Sequence, residues 1–335
     1  MTGTQRVTIR DVAREANVSI ATVSKALNGV DVVRPITKEK IILAAEKLNY
    51  VPNIMGKQLK AHKTGMMGFY TTSIGGPYFN VLVDAIAKES EKKGYSLNVL
   101  VSSNKKVVMN NVLGGMVDGI ISFEDMIGPD ELEILKKEKI KAVFIDRNIE
   151  SQTIGSVVFD SYQAAKKSTE NLLILGHTAI AFLTGIEGNY DSDERFFGYR
   201  DALLQAGIQV KSEWLISGYF EEEAAYEAMK NFFNRPHKIV PTAFVAGNDV
   251  SAIGAVKALK ELNYRIPEDF SITSFDGIDL LNYFSPSITT VKNPIYEQGK
   301  LAVNHLVDLI NDQTQGKSFI LEGKLLVRES VRKLE

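Results

Sequence analysis

From residue 66 onward the chain alternates short apolar runs with stretches of helical periodicity, and it does so too many times for one compact sheet. Apolar runs at 66–70, 96–101, 119–121 and 141–145 are separated by helical patterns at 81–93, before Gly115, and at 131–138. A second series follows, with apolar runs at 179–183, 242–246 and 271–274 and helical patterns at 195–206 and 251–262. Such alternation is the mark of parallel sheets flanked by helices, so the class is α/β and the number of units predicts two similar lobes.

The first fifty residues read differently. Thr8 is placed to cap a helix whose third residue, Asp11, can bond back to the Thr8 amide, and Ile9, Val12, Ala13 and Ala16 share one face. Asn17-Val18 breaks the pattern. Ser19 is a second N-cap, and its helix, 20–27, turns Val23, Ala26 and Leu27 inward. A third helix is expected at about 35–48, with Pro35 at its first position and Ile41, Ile42, Ala45 and Leu48 completing a small core. Two short helices about a tight turn, with a third supporting them, make a helix-turn-helix, in which the start of the second helix enters the major groove. Ile20, Ala21 and Lys25 are then the base-reading candidates. Ile20 and Ala21 suit the thymine methyl, and Lys25 can donate to guanine. Thr8, Ser19, Thr22 and Ser24 carry hydroxyls suited to phosphates, and Arg34 adds positive charge.

Charge supports this division. Residues 1–62 hold ten Lys or Arg against five Asp or Glu, while 63–335 hold 29 against 36. A basic head on an acidic body points to a polyanion bound at one end, here double-stranded DNA. Between the two, Asn53 can cap a short segment, 54–60, too brief to be a stable isolated helix, and Gly56 weakens it further. The expected domains are thus 1–50 for the head, 51–65 for the hinge and 66–335 for the core.

The ordered pattern T-I-x-D-V-A-x-x-A-x-V-S-x-x-T-V-S-x-x-L-N, from Thr8 to Asn28, resembles the head of the lactose/galactose repressor family, and the resemblance continues over essentially the whole chain. Asn17 and Asn49 stand where the family usually has glycine, and asparagine tolerates the left-handed backbone. Arg34 stands where a capping serine is common. The resemblance implies a hinge that enters the minor groove, with Leu59 as an apolar wedge and Lys57 in place of the usual arginine. It also implies a periplasmic-binding-protein-like core whose chain crosses between lobes three times, near 160, 291 and 321, with a ligand held between the lobes.

Several polar residues follow apolar runs, where such a cleft needs them: Asp146 and Arg147 after 143–145, Asp160 after 157–159, Asn248 after 243–246, and Asp276 after 272–275. Arg195 is expected to begin a helix after the polar loop 187–194. Three patterns carry over from the family, D-x-x-x-R-x-x-G-[FY] ending at Tyr199, A-x-x-x-x-N-D from Ala243 to Asp249 and the G-F-D variant ending at Asp276. They imply that Arg195, Asn248 and Asp276 contact the ligand. Phe79 and Phe220 match loops that carry cleft aromatics in the family, and Phe159 precedes the helix that would open the second lobe. Asp249 and Asp279 read equally well as helix caps.

The chemistry of this set favours a neutral sugar, because Asp, Asn and Arg bind adjacent hydroxyls in pairs and aromatic rings cover apolar faces. Purines and sugar phosphates are the alternatives within the same class. No phosphate loop, dinucleotide fingerprint or H-E-x-x-H sequence is present, and the four histidines are too scattered to suggest a metal cluster. No cofactor, metal or catalytic residue is expected. A sugar-modifying enzyme or a transport binding protein fits less well, the latter because of the head. There is no cysteine, the first ten residues lack the core of a signal peptide, and no run of 18 apolar residues could span a membrane. The expectation is a cytoplasmic repressor that acts as a homodimer on a palindromic operator. A four-helix tetramerising tail has no room after Ser330, and a partner protein is a further candidate co-regulator.

Overall fold

The computed structural model describes residues 7–27, 32–51, 63–123, 126–145, 147–236 and 239–334. The chain divides into two units, Met1–Thr64 and Gly65–Glu335.

In the first unit, helices α1 (Ile9–Glu15), α2 (Ile20–Leu27) and α3 (Pro35–Lys47) enclose Val12, Ala13, Val23, Ala26, Ile41, Ala44 and Ala45. The Asp11 carboxylate accepts from the Thr8 amide at 2.9 Å and from the Thr8 hydroxyl at 2.7 Å. Those bonds, the hydroxyl foremost, hold Asp11 below the usual carboxylate pKa. Ser19 Oγ accepts from the Thr22 amide at 3.1 Å. Asn17 and Asn49 have φ of 53° and 49°, the left-handed backbone their positions require. Pro35 opens α3, and its N-cap, Arg34, makes no side-chain capping bond. One expectation is corrected: Ile42 is exposed and Ala44 is buried in its place. A helix turns about 100° per residue, so 41, 44, 45 and 48 share the inward face and 42 leaves it.

The second unit contains two sheets. The first is built from β1 (Met66–Thr71), β2 (Ser96–Val101), β3 (Gly119–Ser122), β4 (Ala142–Phe144), β5 (Ile154–Phe159) and β11 (Ser318–Leu321). Its order is β2-β1-β3-β4-β5-β11, parallel throughout. Helices α4 (Gly76–Lys92), α5 (Lys105–Leu113), α6 (Pro129–Lys137) and α11 (Ile295–Ile310) accompany it. Strands β3, β4 and β5 are buried along their whole length, as parallel strands covered on both faces must be.

The second sheet holds β6 (Ile180–Thr184), β7 (Leu215–Ser217), β8 (Ala243–Ala246), β9 (Ser271–Asp276), β10 (Thr289–Lys292) and β12 (Lys324–Leu326). Its order is β7-β6-β8-β9-β10-β12, with only β12 antiparallel. It carries α7 (Ser161–Ile174), α8 (Tyr190–Gln205), α9 (Glu222–Phe233) and α10 (Asp249–Glu261). The chain passes from β5 to the second lobe through α7, returns after β10 to lay α11 against α4 and the first sheet, and crosses again between β11 and β12. Strands β7, β10, β11 and β12 and helices α9 and α11 extend the alternation read from the sequence.

Candidate effector cleft and DNA-reading surface

In both sheets the strand order reverses beside the first strand, between β1 and β3 and between β6 and β8. Such a switch point leaves a crevice beyond the carboxyl ends of the strands. A cavity of about 370 Å³ draws its walls from both reversals. Ser73, Tyr78 and Phe79 follow β1, and Phe123 follows β3; Asn189, Asp191 and Arg195 follow β6, and Asn248 follows β8. Tyr219, Phe220, Glu221 and Glu222 after β7, with Asp276 and Ile278 at the end of β9, close the far side.

Arg195 is the most tightly held group in this cleft. It lies in the second turn of α8, which begins at Tyr190 and not at Arg195 as the polar run suggested. Asn189 caps this helix by accepting from the Ser192 amide at 3.2 Å, and Asp191 and Asp193 in the first turn favour its positive end. The guanidinium donates to the Gly247 carbonyl at 2.6 Å, to Ser161 Oγ at 3.3 Å and to Asp276 Oδ1 at 3.2 Å. The rings of Phe275, Phe220 and Phe159 surround it at 5.0, 5.5 and 5.8 Å. These bonds use three of its five N–H groups.

Asp276 is buried, with φ of 102°. Burial raises its pKa, Arg195 draws it back, and the charge of Asp191 raises it again. Asp249 lies deeper and accepts from the Ser274 and Thr290 hydroxyls and the Ile278 amide. It is the first residue of α10, whose cap is Asn248. Burial first, then the charge of Asp276, push its pKa up to about 7. Asp279 falls in the first turn of a short 3-10 helix, Asp279–Tyr283.

The aromatic wall has its own supports. Tyr78, Phe79 and Phe123 pack ring against ring at 5.1–5.7 Å. Tyr219 and Phe220 have φ of 54° and 63°, a costly backbone for bulky residues. The Phe220 ring lies against Gly185 and Gly247, where a Cβ would overlap or crowd it. The missing side chains thus seat the ring and hold the strained turn.

Of the residues singled out from sequence, Phe79, Arg195, Phe220, Asn248 and Asp276 line the cavity. Asn248 also caps α10, accepting from the Ser251 amide at 2.8 Å and donating to the Phe220 carbonyl at 3.1 Å. Three others stand apart from it. Phe159 is buried in the second lobe's core beneath Arg195. Asp160 is the cap of α7, accepting from the Gln163 amide at 3.0 Å, and Arg147 lines a neighbouring hollow. Asp146 lies outside the described residues, as do Lys57 and Leu59. Ser73, Phe123, Asn189, Tyr219, Glu221 and Glu222 were not singled out. Only Asn189 carries a local signal, as a helix cap.

In the head, Ser19, Ile20, Ala21 and Lys25 at the start and on the outer side of α2 are exposed, as are Thr8 and Arg34, while Thr22 and Ser24 are half-buried. Among the described residues no group of three potential metal ligands occurs, and no helix is long and apolar enough to cross a membrane.

A capped helix-turn-helix joined to a two-lobed core with a polar, aromatic-walled cleft defines a ligand-responsive DNA-binding regulator. The model of bacterial regulatory proteins of the lacI family matches residues 8–53, and that of the periplasmic binding protein-like domain matches 169–331. The probable HTH-type transcriptional repressor ExuR of Bacillus subtilis (strain 168) is 33% identical over 98% of this chain and 99% of its own. The HTH-type transcriptional repressor PurR of Photobacterium profundum is 30% identical over the same shares. Among solved structures, the lac repressor dimer bound to operator and the anti-inducer ONPF superposes with a TM-score of 0.82. It is 27% identical and covers 98% of this chain and 100% of that one. The transcriptional regulator CelR–cellobiose complex gives 0.74 at 25% identity, covering 97% and 100%. The chain belongs to the lacI family of bacterial regulatory proteins and is a DNA-binding transcriptional regulator.

Proposed function

We propose that this regulator is a repressor of carbohydrate-utilisation genes whose operator affinity is set by a neutral sugar bound in the cleft. The observation that carries the reading is the buried Arg195–Asp276 pair, offering donors and an acceptor side by side in a cavity walled by Phe79, Phe123 and Phe220. Adjacent hydroxyls satisfy both partners at once, whereas a ligand without them leaves buried polar groups unmatched. Asp191, Glu221, Glu222 and Asp276 face a single guanidinium in this cavity, which disfavours a phosphorylated sugar. The solved structure of CelR is a complex with cellobiose, in keeping with a saccharide.

The cleft binds its ligand without turning it over. Glycoside hydrolysis generally uses two carboxyl groups placed across the bond; here Asp276 is tied to Arg195, Asp191 accepts from Ser161 at 2.6 Å, and the other two, Glu221 and Glu222, are chain neighbours at the start of α9. Acting in the cytoplasm as a homodimer, the protein reads one half of a palindrome with each head. Ile20, Ala21 and Lys25 meet base edges, and Thr8, Ser19, Thr22, Ser24 and Arg34 meet the backbone. From sequence, Lys57 and the Leu59 wedge extend the contact into the minor groove. The ligand acts by favouring one arrangement of the lobes over another.

Titration calorimetry of the whole protein against hexoses, pentoses, disaccharides and purines tests the reading. A sugar should bind, and Arg195→Ala should abolish that binding. Micromolar binding of a purine with no sugar bound overturns it. The ring cluster of Tyr78, Phe79 and Phe123 is the feature that would suit such a flat ligand.

A further inference from the structure

Next to the effector cavity lies a second hollow of about 350 Å³, and Asn189 lines both. Its walls come from both lobes. Arg147 follows β4 in the first, and Tyr190, Asp193, Glu194 and Phe197 belong to α8 in the second. The chemistry of the effector cavity is repeated here, with a guanidinium, carboxylates and an aromatic ring. Arg147 donates to the Ile127 carbonyl at 2.7 Å and lies over the Phe144 ring at 5.1 Å, so its partly exposed head group is fixed in the first lobe. Phe197 is apolar yet 36% exposed, with Arg200 over its ring at 4.9 Å.

Charge narrows what can fill the hollow. Asp193 and Glu194 repel an anion, while Arg147 brings the opposite charge to the same hollow. Burial, then the charges of Asp160, Asp191 and Asp193, already raise the pKa of Glu194, so a further negative group has no place beside it. Neutral hydroxyls can donate to these carboxylates and accept from Arg147, and Phe197 offers a face to pack on.

We propose that this hollow is a second saccharide subsite, and that the effector is a disaccharide or longer chain rather than a monosaccharide. The inference rests on the sugar reading of the first cavity. One unit occupies that cavity beside Arg195 and Asp276, the chain passes Asn189, and the next unit packs on Phe197 between Arg147 and Glu194. Because Arg147 and Phe197 belong to different lobes, the second unit links the lobes as well as adding affinity.

The test is titration calorimetry of the full-length protein with glucose, galactose and xylose and with their disaccharides cellobiose, maltose, lactose and xylobiose. At least one disaccharide should bind about ten-fold or more tightly than its monosaccharide, as one further packed face and its hydrogen bonds would supply. Phe197→Ala and Arg147→Ala, each checked by thermal unfolding, should bring that ratio close to one and leave monosaccharide affinity unchanged. Monosaccharides binding as tightly as every disaccharide, or a ratio that survives both substitutions, overturns the second subsite and leaves the sugar reading standing. If no saccharide of either length binds, the sugar reading itself fails and the subsite falls with it.

Discussion

Removing the Arg195 guanidinium should destabilise the core by an amount that depends on pH. Arg195→Ala deletes the bonds to Ser161, Gly247 and Asp276 and leaves the Asp276 carboxylate buried without its cation. Breaking one side of a buried pair costs about 3–5 kcal/mol. At about 2–4 °C per kcal/mol for a domain of this general size, the loss in Tm is about 6–20 °C. Burial already holds the Asp276 pKa above its ordinary value of 3.8, and the guanidinium is the group that draws it back. The variant therefore raises it further. A carboxyl with a raised folded pKa binds more protons folded than unfolded, so its stability is fullest at low pH and is lost as pH rises towards the folded pKa. The deficit of the variant should accordingly be larger at neutral pH and shrink as the pH falls. Urea unfolding followed by tryptophan fluorescence and by circular dichroism measures it at each pH. Arg195→Ala/Asp276→Asn should recover much of the loss, because the orphaned charge is gone. A deficit that is flat with pH, or a double variant as unstable as the sum of the singles, would refute an electrostatic role and leave Arg195 as packing.

Three further outcomes follow from other parts of the structure. Asp249→Asn should remove the part of the core's stability that declines between about pH 4 and pH 7, since Asp249 also titrates with a raised folded pKa; the wild-type-minus-variant difference against pH measures this, and parallel curves would contradict it. Gly185→Ala places a methyl group in the Phe220 ring, and displacing that wall should weaken sugar binding by about 1–3 kcal/mol in calorimetry, with affinity for unliganded operator unchanged. Undiminished sugar affinity would mean that Phe220 is not part of the binding wall. Lys25→Ala should weaken operator binding by about 1–3 kcal/mol and relax preference at one guanine in each half-site. Competition among operator variants reads this, and an equal loss on every sequence assigns Lys25 to phosphate.

Much of the fold is written in local chemistry. Asn17 and Asn49 mark left-handed turns because few other residues accept that backbone, and Ser19 and Pro35 mark helix starts because each suits a terminal position. The start of α8 was obscured by the acidic stretch 187–194, which reads as a loop, although acids in the first turn stabilise a helix. The cleft was legible only in part. Arg195, Asn248 and Asp276 follow strands in recognisable patterns, whereas Phe123 and Tyr219 become neighbours of the cavity only when two separate lobes face each other. No periodicity encodes that. Asp160 shows the opposite limit, because a strand-end aspartate has the same sequence signature whether it faces a ligand or, as here, caps the helix that follows.

The return of the chain to the first lobe governs the order in which the protein can be made. Helix α11 supplies Ile295, Ala302, Val303, Leu306 and Leu309 to the core of that lobe, and β11 supplies the outer strand beside β5. A nascent chain that has emerged only as far as β5 holds most of the first sheet but exposes the apolar surface those residues cover. The head's core is drawn from residues 9–50, completed by Leu48 and Tyr50 just past α3, and can form once that stretch has emerged. Synthesis thus delivers a finished DNA reader first, while the lobe that follows it in sequence waits for nearly the last part of the chain. A ribosome stalled between β5 and α11 presents a folded head on a core with an open hydrophobic face, and the nascent-chain folding of this protein should turn on how that face is shielded.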